Sequence, residues 1–171
     1  MTPTEPLILG IDVGASGALC EIWPGNRIVV HGMMEQPDLR DYFAELARSC
    51  SLEGIVLHCF IEQVGGYIGR PQPGSHMFKF GFGAGFIHGL LAANSITTHL
   101  VRPQVWQKGL SGVDKLKGPE RKRALRAEAA RRFPNVKTTL STCDALLIAE
   151  YGKHLVIGVP SATKNRTVAT S

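Results

Sequence analysis

Hydrophobic residues form short continuous runs near the amino terminus and switch to helical spacing further along the chain. The runs predict buried strands at residues 7–13, 17–23, 27–32, 55–62 and 97–101. Pro24, Gly25 and Asn26 separate the second run from the third and have the composition of a hairpin turn. The first three strands are therefore predicted to form an antiparallel meander.

Helical spacing first appears between residues 38 and 49, where apolar residues recur at intervals of three and four. A helix between two buried strands implies a crossover, which makes the strand at 55–62 a parallel neighbour of the first strand. Further helices are predicted at residues 77–94, 103–108 and 119–132, and from residue 141 to about residue 154.

The predicted helix at residues 77–94 is rich in glycine, with Gly81, Gly83, Gly85 and Gly89 along it. Each glycine costs a helix about 1 kcal/mol relative to alanine. We therefore expect a partner to pack very close to this helix. The sheet, a second subunit and a nucleic-acid backbone are all candidates.

Three acidic residues stand in apolar surroundings. Asp12 lies in the first strand and is followed by glycines, Glu62 ends the fourth strand, and Asp144 opens an apolar segment. A carboxylate on an apolar element is costly unless a cation pairs with it, so the three acids predict one shared site. Taken singly, they have ordinary alternatives: a turn residue, a strand-end carboxylate facing water, and a first-turn helix acid capped from Ser141.

Composition limits the class of protein. The chain has 171 residues, of which 44% are hydrophobic, and this suits one domain with a sizeable core. The net charge of +5 favours an anionic partner. Four cysteines without a Cys-x-x-Cys spacing predict buried, reduced thiols. Neither a signal peptide nor a membrane-spanning run is recognised, so we expect a cytoplasmic protein.

Two further segments offer polar chemistry. Residues 63–76 form a predicted loop rich in glycine and proline, in which Tyr67, Arg70 and His76 are candidates for stacking on bases or holding phosphates. The predicted helix at 119–132 and the residues before it have a strong basic bias, which suits contact with a phosphate backbone. The candidate residues for DNA binding there are Lys115, Lys117, Arg121, Lys122 and Arg126. A mobile surface loop and a solvated charged helix are the alternatives.

Four motifs follow one another along residues 7–152. They are Gly10-Ile11-Asp12-Val13-Gly14, Ile61-Glu62-Gln63-Val64, Arg102-Pro103 with Val105-Trp106 and the downstream Lys115 and Lys117, and Asp144-Ala145-Leu146-Leu147-Ile148-Ala149. With the order of strands and helices, this pattern resembles the ribonuclease H-like superfamily. It resembles more closely the RuvC-type Holliday junction resolvases, including their phage and organelle relatives.

The resemblance implies an α/β fold, with a mixed five-stranded sheet of three antiparallel strands and then parallel strands, flanked by helices. One domain is predicted to span residues 1–158, and the small, polar residues after it predict a disordered tail at 159–171. The resemblance also implies that Asp12, Glu62 and Asp144 bind two Mg²⁺ or Mn²⁺ ions, and that Lys115 assists catalysis. It further implies a homodimer, in a bacterial or phage-infected cell, that nicks two symmetric strands of a four-way DNA junction.

One position departs from the pattern of the resolvases. Bacterial relatives usually have a fourth acid one helical turn before the last aspartate, and Ser141 stands there in this chain. Asp114 and Glu150 are possible substitutes, but Glu150 lies six residues after Asp144 and off the same helix face. A DNA-binding module without cleavage, a nuclease for RNA–DNA hybrids or flaps, and a sugar-kinase-like or actin-like ATPase therefore stay open as alternatives. The ATPases share the Asp-x-Gly motif of the first strand but need two such domains.

Overall fold

A mixed five-stranded sheet forms the centre of the protein in the computed structural model, which describes residues 5–14, 16–63, 74–110, 112–113 and 115–158. The strands are β1 (Leu7–Asp12), β2 (Ala18–Ile22), β3 (Ile28–Gly32), β4 (Leu57–Glu62) and β5 (Thr97–Val101), in the spatial order β3-β2-β1-β4-β5. The first three strands are antiparallel, and a short turn at Pro24–Asn26 joins β2 to β3. This confirms the predicted meander.

The parallel half of the sheet begins where β4 pairs with β1, and β5 then pairs with β4. Ile11 lies opposite Ile61 in this register, so Asp12 and Glu62 end adjacent strands. The predicted crossover is confirmed. Parallel strands bring their carboxyl ends to one edge of the sheet, and the two acids therefore stand side by side at that edge.

Helices cover both faces of the sheet. They are α1 (Gln36–Glu53), α2 (Gly74–Ala93), α3 (Pro103–Trp106), α4 (Gly118–Arg132) and α5 (Cys143–Ile157). One core cluster joins α1 and α2 to side chains such as Leu9 and Ile11, and the other joins α3, α4 and α5 to side chains such as Ile8 and Phe60. Successive strand residues point to opposite faces, so Asp12 and Glu62 share the α5 face with Ile8 and Phe60.

Most predicted elements are present, with shifted ends. The strands are up to two residues shorter than the apolar runs, and α1 is longer than predicted, because Pro37 lies in its first turn and Gly54 ends it in the left-handed conformation. The helix α2 begins at Gly74 and therefore includes His76, which was predicted to lie in a loop. The loop residues 64–73, with Tyr67 and Arg70, and the tail at 159–171 lie outside the described residues.

Of the three partners expected for the glycines of α2, the described chain tests only the sheet. A Cβ added at Gly81, Gly83, Gly85 or Gly89 would meet no atom within 4 Å. The sheet is therefore excluded as the partner of these glycines. Of the 20 residues in α2, Ala84, Ile87 and Leu91 are the buried ones, so a largely apolar helix leaves most of its surface open.

The four cysteines are buried and free, as predicted. No helix among the described residues is long and apolar enough to span a membrane.

Candidate active site

Two carboxylates of the site come from the ends of neighbouring parallel strands. Asp12 ends β1, and its Oδ1 accepts a hydrogen bond from the backbone N–H of Gly14 at 3.2 Å. Glu62 ends β4, and its Oε1 accepts a hydrogen bond from the indole Nε1–H of Trp106 at 3.2 Å. Trp106 is itself buried. The buried indole therefore anchors Glu62 at the edge of the sheet.

The third carboxylate comes from the helix that lies directly on β1. Asp144 is the second residue of α5, and the backbone of α5 approaches β1 at Gly10. A Cβ at Gly10 would lie 2.5 Å from the carbonyl oxygen of Ala145 and 2.5 Å from the amide nitrogen of Ala149. A glycine is therefore needed for this close packing, which brings the first turn of α5 to the carboxyl end of β1.

Lys122 of α4 supplies an ammonium group to these acids. Its Nζ donates to Oδ2 of Asp144 at 2.6 Å and lies 4.0 Å from Oδ2 of Asp12. Burial acts to lower the pKa of Lys122, but the hydrogen bond and charge of Asp144 outweigh it and the net pKa is raised. Lys122 therefore stays charged and links the two aspartates.

Burial and mutual repulsion act on the acids. Burial, followed by the charge of Asp144, raises the pKa of Asp12 against the opposing effects of the Gly14 N–H and Lys122. Burial, followed by the charge of Asp12, raises the pKa of Glu62 to about 7, although the Trp106 hydrogen bond opposes this. Three carboxylates that share one ammonium leave two formal negative charges at a largely buried site.

The donor set suits a hard divalent cation, because carboxylate oxygens are the ligands that Mg²⁺ and Mn²⁺ prefer. The excess of two negative charges equals the charge of one such ion. In the described part of the chain, however, no three His, Cys, Asp or Glu side chains are placed so as to hold one ion together. Asp144 is engaged by Lys122 and Glu62 by Trp106.

Comparison with solved structures identifies the fold. The structure of RuvC from Thermus thermophilus matches with a TM-score of 0.55 at 12% sequence identity, covering 89% of this chain and 96% of that one. The T. thermophilus RuvC in complex with a Holliday junction substrate matches with a TM-score of 0.53 at 13% identity, over 90% and 96% of the two chains. The chain has the fold of RuvC.

The RuvC-like fold is the ribonuclease H-like α/β fold that the sequence predicts, and the resemblance is confirmed at this level. The yeast mitochondrial Holliday junction resolvase Ydc2 matches more weakly, with a TM-score of 0.46 at 13% identity over 89% of this chain and 80% of that one. No protein-family model matches the chain. No curated protein matches it in sequence.

Ser141 does not stand at the N-cap of α5, where the ordinary alternative for Asp144 put it. The residue before the helix is Thr142, which makes no side-chain cap. Its hydroxyl instead accepts a hydrogen bond from the backbone N–H of Thr139 at 2.9 Å, and its own N–H donates to the Thr139 hydroxyl at 3.1 Å. This reciprocal pair fixes the turn before the helix. Ser141 lies half-buried in that turn.

Two residues are candidates to replace the missing fourth acid, and the structure describes one of them. Glu150 accepts a hydrogen bond from Arg132 at 2.6 Å, which commits its carboxylate to α4. Asp114 lies outside the described residues.

The basic residues of α4 divide into two groups. In the second half of the helix, Arg131 and Arg132 pair with Glu128, and Arg132 also pairs with Glu150. Between residues 115 and 128, every basic side chain except that of Lys122 is exposed. This exposed group, which we call the basic rim, consists of Lys115, Lys117, Arg121, Arg123 and Arg126. The basic rim therefore flanks, along the sequence, Lys122, which is the residue of α4 that contacts the acids.

Individual site predictions have different outcomes. The structure places Asp12, Glu62 and Asp144 close enough for their charges to interact, and Lys122 contacts both aspartates, but the binding of metal ions by these acids stays a prediction. Lys122, one of the residues predicted to bind DNA, contacts the acids. Lys115 is exposed, and its role in catalysis stays a prediction. The spacing offers a signal for Lys122, because it precedes the buried Leu125 by three residues and the buried Ala129 by seven.

Proposed function

We propose that this chain is a divalent-metal-dependent endonuclease that cuts four-way DNA junctions by paired symmetric nicks. The convergence of Asp12, Glu62 and Asp144 at one largely buried site, beside the exposed basic rim, carries this proposal. The basic rim would hold the phosphate backbone. The fold shared with a RuvC whose structure was solved in complex with a Holliday junction substrate supports the choice of branched DNA.

Asp12, Glu62 and Asp144 would hold the metal. Divalent ions bound there supply charge neutralisation and an activated water for phosphodiester hydrolysis. For the acids to act as ligands, Asp144 must exchange its contact with Lys122. Lys122 would then be free to donate to a phosphate oxygen of the DNA strand. Trp106 would keep Glu62 oriented throughout.

The decisive experiment compares cleavage of a labelled four-way junction, a linear duplex and an RNA–DNA hybrid in Mg²⁺ and in Mn²⁺. We expect paired nicks on the junction alone. Asp12→Asn should abolish the nicks and keep junction binding, because it removes a ligand without changing the basic rim. Asp41→Asn, at an exposed acid paired with Arg40 on α1, is the matched control and should cleave normally. Loss of binding with Asp12→Asn would assign Asp12 a structural role.

A second candidate function is junction binding without cleavage. Ser141 in place of a fourth acid favours it, and so does the close contact between Lys122 and Asp144. In this case the protein would bind the junction but would not nick the DNA in the presence of either Mg²⁺ or Mn²⁺. Cleavage of the hybrid in preference to the junction would instead indicate a ribonuclease H-like activity.

We further propose that two copies pair through α2, because paired nicks in a symmetric junction need two sites related by a two-fold axis. Phe78 and Phe82 are 72% and 55% exposed and stack on each other with ring centroids 6.2 Å apart. Lys79 is the one charged residue in α2, so this face suits contact with an identical apolar face.

The oligomeric state tests the α2 interface directly. Sedimentation of the wild-type protein should show a dimer, and Phe82→Arg should shift it to the monomer. The control is Leu52→Arg, at a 73% exposed leucine on α1, which should leave the dimer intact. A wild-type monomer, or a dimer that survives Phe82→Arg, would contradict this interface.

A further inference from the structure

The last strand of the sheet has an open edge. β5 pairs with β4 on one side, and no described strand pairs with it on the other. On the β4 side, the carbonyl oxygen of Val101 accepts a hydrogen bond from the N–H of Gln63 at 2.8 Å. Successive residues of a strand direct their backbone groups to opposite sides, so the N–H and C=O groups of Thr98 and Leu100 point away from the sheet. No described backbone group bonds to them.

This edge lacks the features that usually block the addition of another strand. Edge strands of natural proteins often carry charged residues or proline, which oppose pairing with a second chain. The sequence of β5, Thr-Thr-His-Leu-Val, contains no proline, aspartate, glutamate, lysine or arginine. Leu100 is 56% exposed at the edge. An added strand would therefore cover apolar surface and meet no repelling group on β5.

A cavity of about 430 Å³ follows the same edge on the α5 face of the sheet. Its lining includes Leu100 and Val101 of β5, Val105 of α3 and Leu155 of α5. Val105 and Leu155 are 44% and 58% exposed. The volume lies within the range of about 300–1,000 Å³ that is typical of binding pockets. A strand laid along β5 would direct every second side chain to the α5 face and therefore into this cavity.

The polar end of the cavity carries positive charge. Arg102 directly follows β5, is exposed, and is the one charged residue among the described residues of the lining. Its Nε–H donates to Oε1 of Gln63 at 3.3 Å, which orients the guanidinium group. The terminal N–H groups of a guanidinium match the two oxygens of a carboxylate. The lining therefore suits a partner that is apolar along its length and acidic at one end.

We propose that the open edge of β5 and the adjoining cavity bind an extended, apolar peptide segment of a partner protein, which adds to the sheet as a sixth strand. Alternate side chains of the segment occupy the cavity, and an acidic side chain at one end pairs with Arg102. Main-chain hydrogen bonds to Thr98 and Leu100 supply affinity, and the cavity and Arg102 supply specificity. This interaction goes beyond DNA cleavage, since it needs neither a metal ion nor DNA.

Hydrogen exchange of the full-length protein tests the open edge at single residues. The probe is a synthetic peptide in which valine and threonine alternate over eight residues, followed by two aspartates. In the protein alone, the N–H groups of Thr98 and Leu100 should exchange at least about tenfold faster than those of His99 and Val101, which bond to β4. The peptide should slow exchange at Thr98 and Leu100. Slow exchange at both residues in the dilute protein alone would overturn the proposal, because the edge would already be covered.

Fluorescence anisotropy of the labelled peptide measures the affinity. Leu100→Pro removes an outward N–H at a position where an edge strand tolerates proline, and it should weaken binding at least about tenfold. The matched control is Val30→Pro on β3, at the opposite edge of the sheet, where the N–H of Val30 points away from β2. It should bind normally, and circular dichroism verifies that both variants fold. No binding at about 1 mM peptide, or equal affinity for the wild-type protein and Leu100→Pro, would overturn the proposal.

Changes in the peptide test the same contacts without altering the strand. Lysines in place of the two aspartates should weaken binding to the wild-type protein and restore binding to Arg102→Glu. N-methyl groups on alternate amides should abolish binding when they face β5 and preserve it when they face away. Equal effects of the two sets of N-methyl groups would contradict strand addition.

Other occupants of this edge would give different results. Slow exchange at Thr98 and Leu100 that develops with rising protein concentration, without the peptide, would identify a second copy of this chain. Slow exchange caused by a four-way junction but not by the peptide would identify DNA. Either result would overturn the peptide proposal, and neither depends on whether the protein cleaves the junction.

Discussion

Glu62→Gln should stabilise the metal-free protein at neutral and basic pH. Glu62 is largely buried beside Asp12, and these surroundings raise its pKa from 4.5 to about 7. Glutamine has nearly the same shape and carries no charge, and its amide oxygen can still accept the hydrogen bond from Trp106. The substitution therefore removes the cost of an ionised carboxylate at this position and keeps its packing.

The pKa shift sets both the size and the sign of the effect. A rise from 4.5 to about 7 corresponds to about 3 kcal/mol, at 1.36 kcal/mol per pKa unit. Because the folded state binds the Glu62 proton more tightly than the unfolded state, wild-type stability falls as pH rises between these two values. The advantage of Glu62→Gln should therefore be less than about 1 kcal/mol near pH 5 and should reach about 3 kcal/mol near pH 8.

Urea denaturation in EDTA across this pH range measures the difference in unfolding free energy. Glu53→Gln, at an exposed glutamate near the end of α1, is the control and should show no such pH dependence. Saturating Mg²⁺ should stabilise the wild-type protein and shrink the advantage of Glu62→Gln, because glutamine is a poorer metal ligand. An advantage that is absent near pH 8, or equal at both ends of the range, would refute the electrostatic reasoning.

Two other substitutions test the packing and the basic rim. Gly10→Ala should destabilise the fold by about 3 kcal/mol, because its Cβ would collide with the backbone of α5. Gly81→Ala, where the Cβ would point into open space, should instead stabilise the fold by up to about 1 kcal/mol. Thermal unfolding of the dilute protein measures both effects. Replacing Lys117 and Arg121 together with glutamine should weaken junction binding and reduce the slope of log affinity against log salt by about 2, while Arg48→Gln on α1 leaves the slope unchanged. An unchanged slope in the double variant would remove this part of the basic rim from the DNA interface.

The sequence predicts the sheet well because its signals are local. Apolar runs mark each strand, and the turn residues between β2 and β3 indicate antiparallel pairing directly. The parallel register follows from the crossover, and it places Asp12 beside Glu62 before any side chain is located. The ends of the helices are less well predicted, since Pro37 and Gly54 extend α1 beyond its apolar periodicity.

The sequence fails where an outcome depends on contacts between distant segments. Lys122 lies in a run of basic residues and is distinguished from its neighbours only by its position relative to the buried stripe of α4. Ser141 matches a capping pattern, but Thr139 and Thr142 satisfy each other and set the turn. The glycines of α2 predict a close partner but do not say which, and no described atom of the chain lies near the positions of their missing side chains.

The arrangement of Lys122 connects the stability of the protein to its proposed chemistry. Without a metal ion, three acids at one site repel one another, and Lys122 is the cation that the described residues bring to them. A divalent ion would take over that neutralising role, and Lys122 would then be free to pair with a phosphate oxygen of DNA. Metal binding and DNA binding would therefore favour each other, because the same ammonium group cannot pair fully with Asp144 and with a phosphate. The test measures junction affinity with and without Ca²⁺. We expect Ca²⁺ to raise the affinity of the wild-type protein but not that of Lys122→Met. An equal rise in both proteins would refute the coupling.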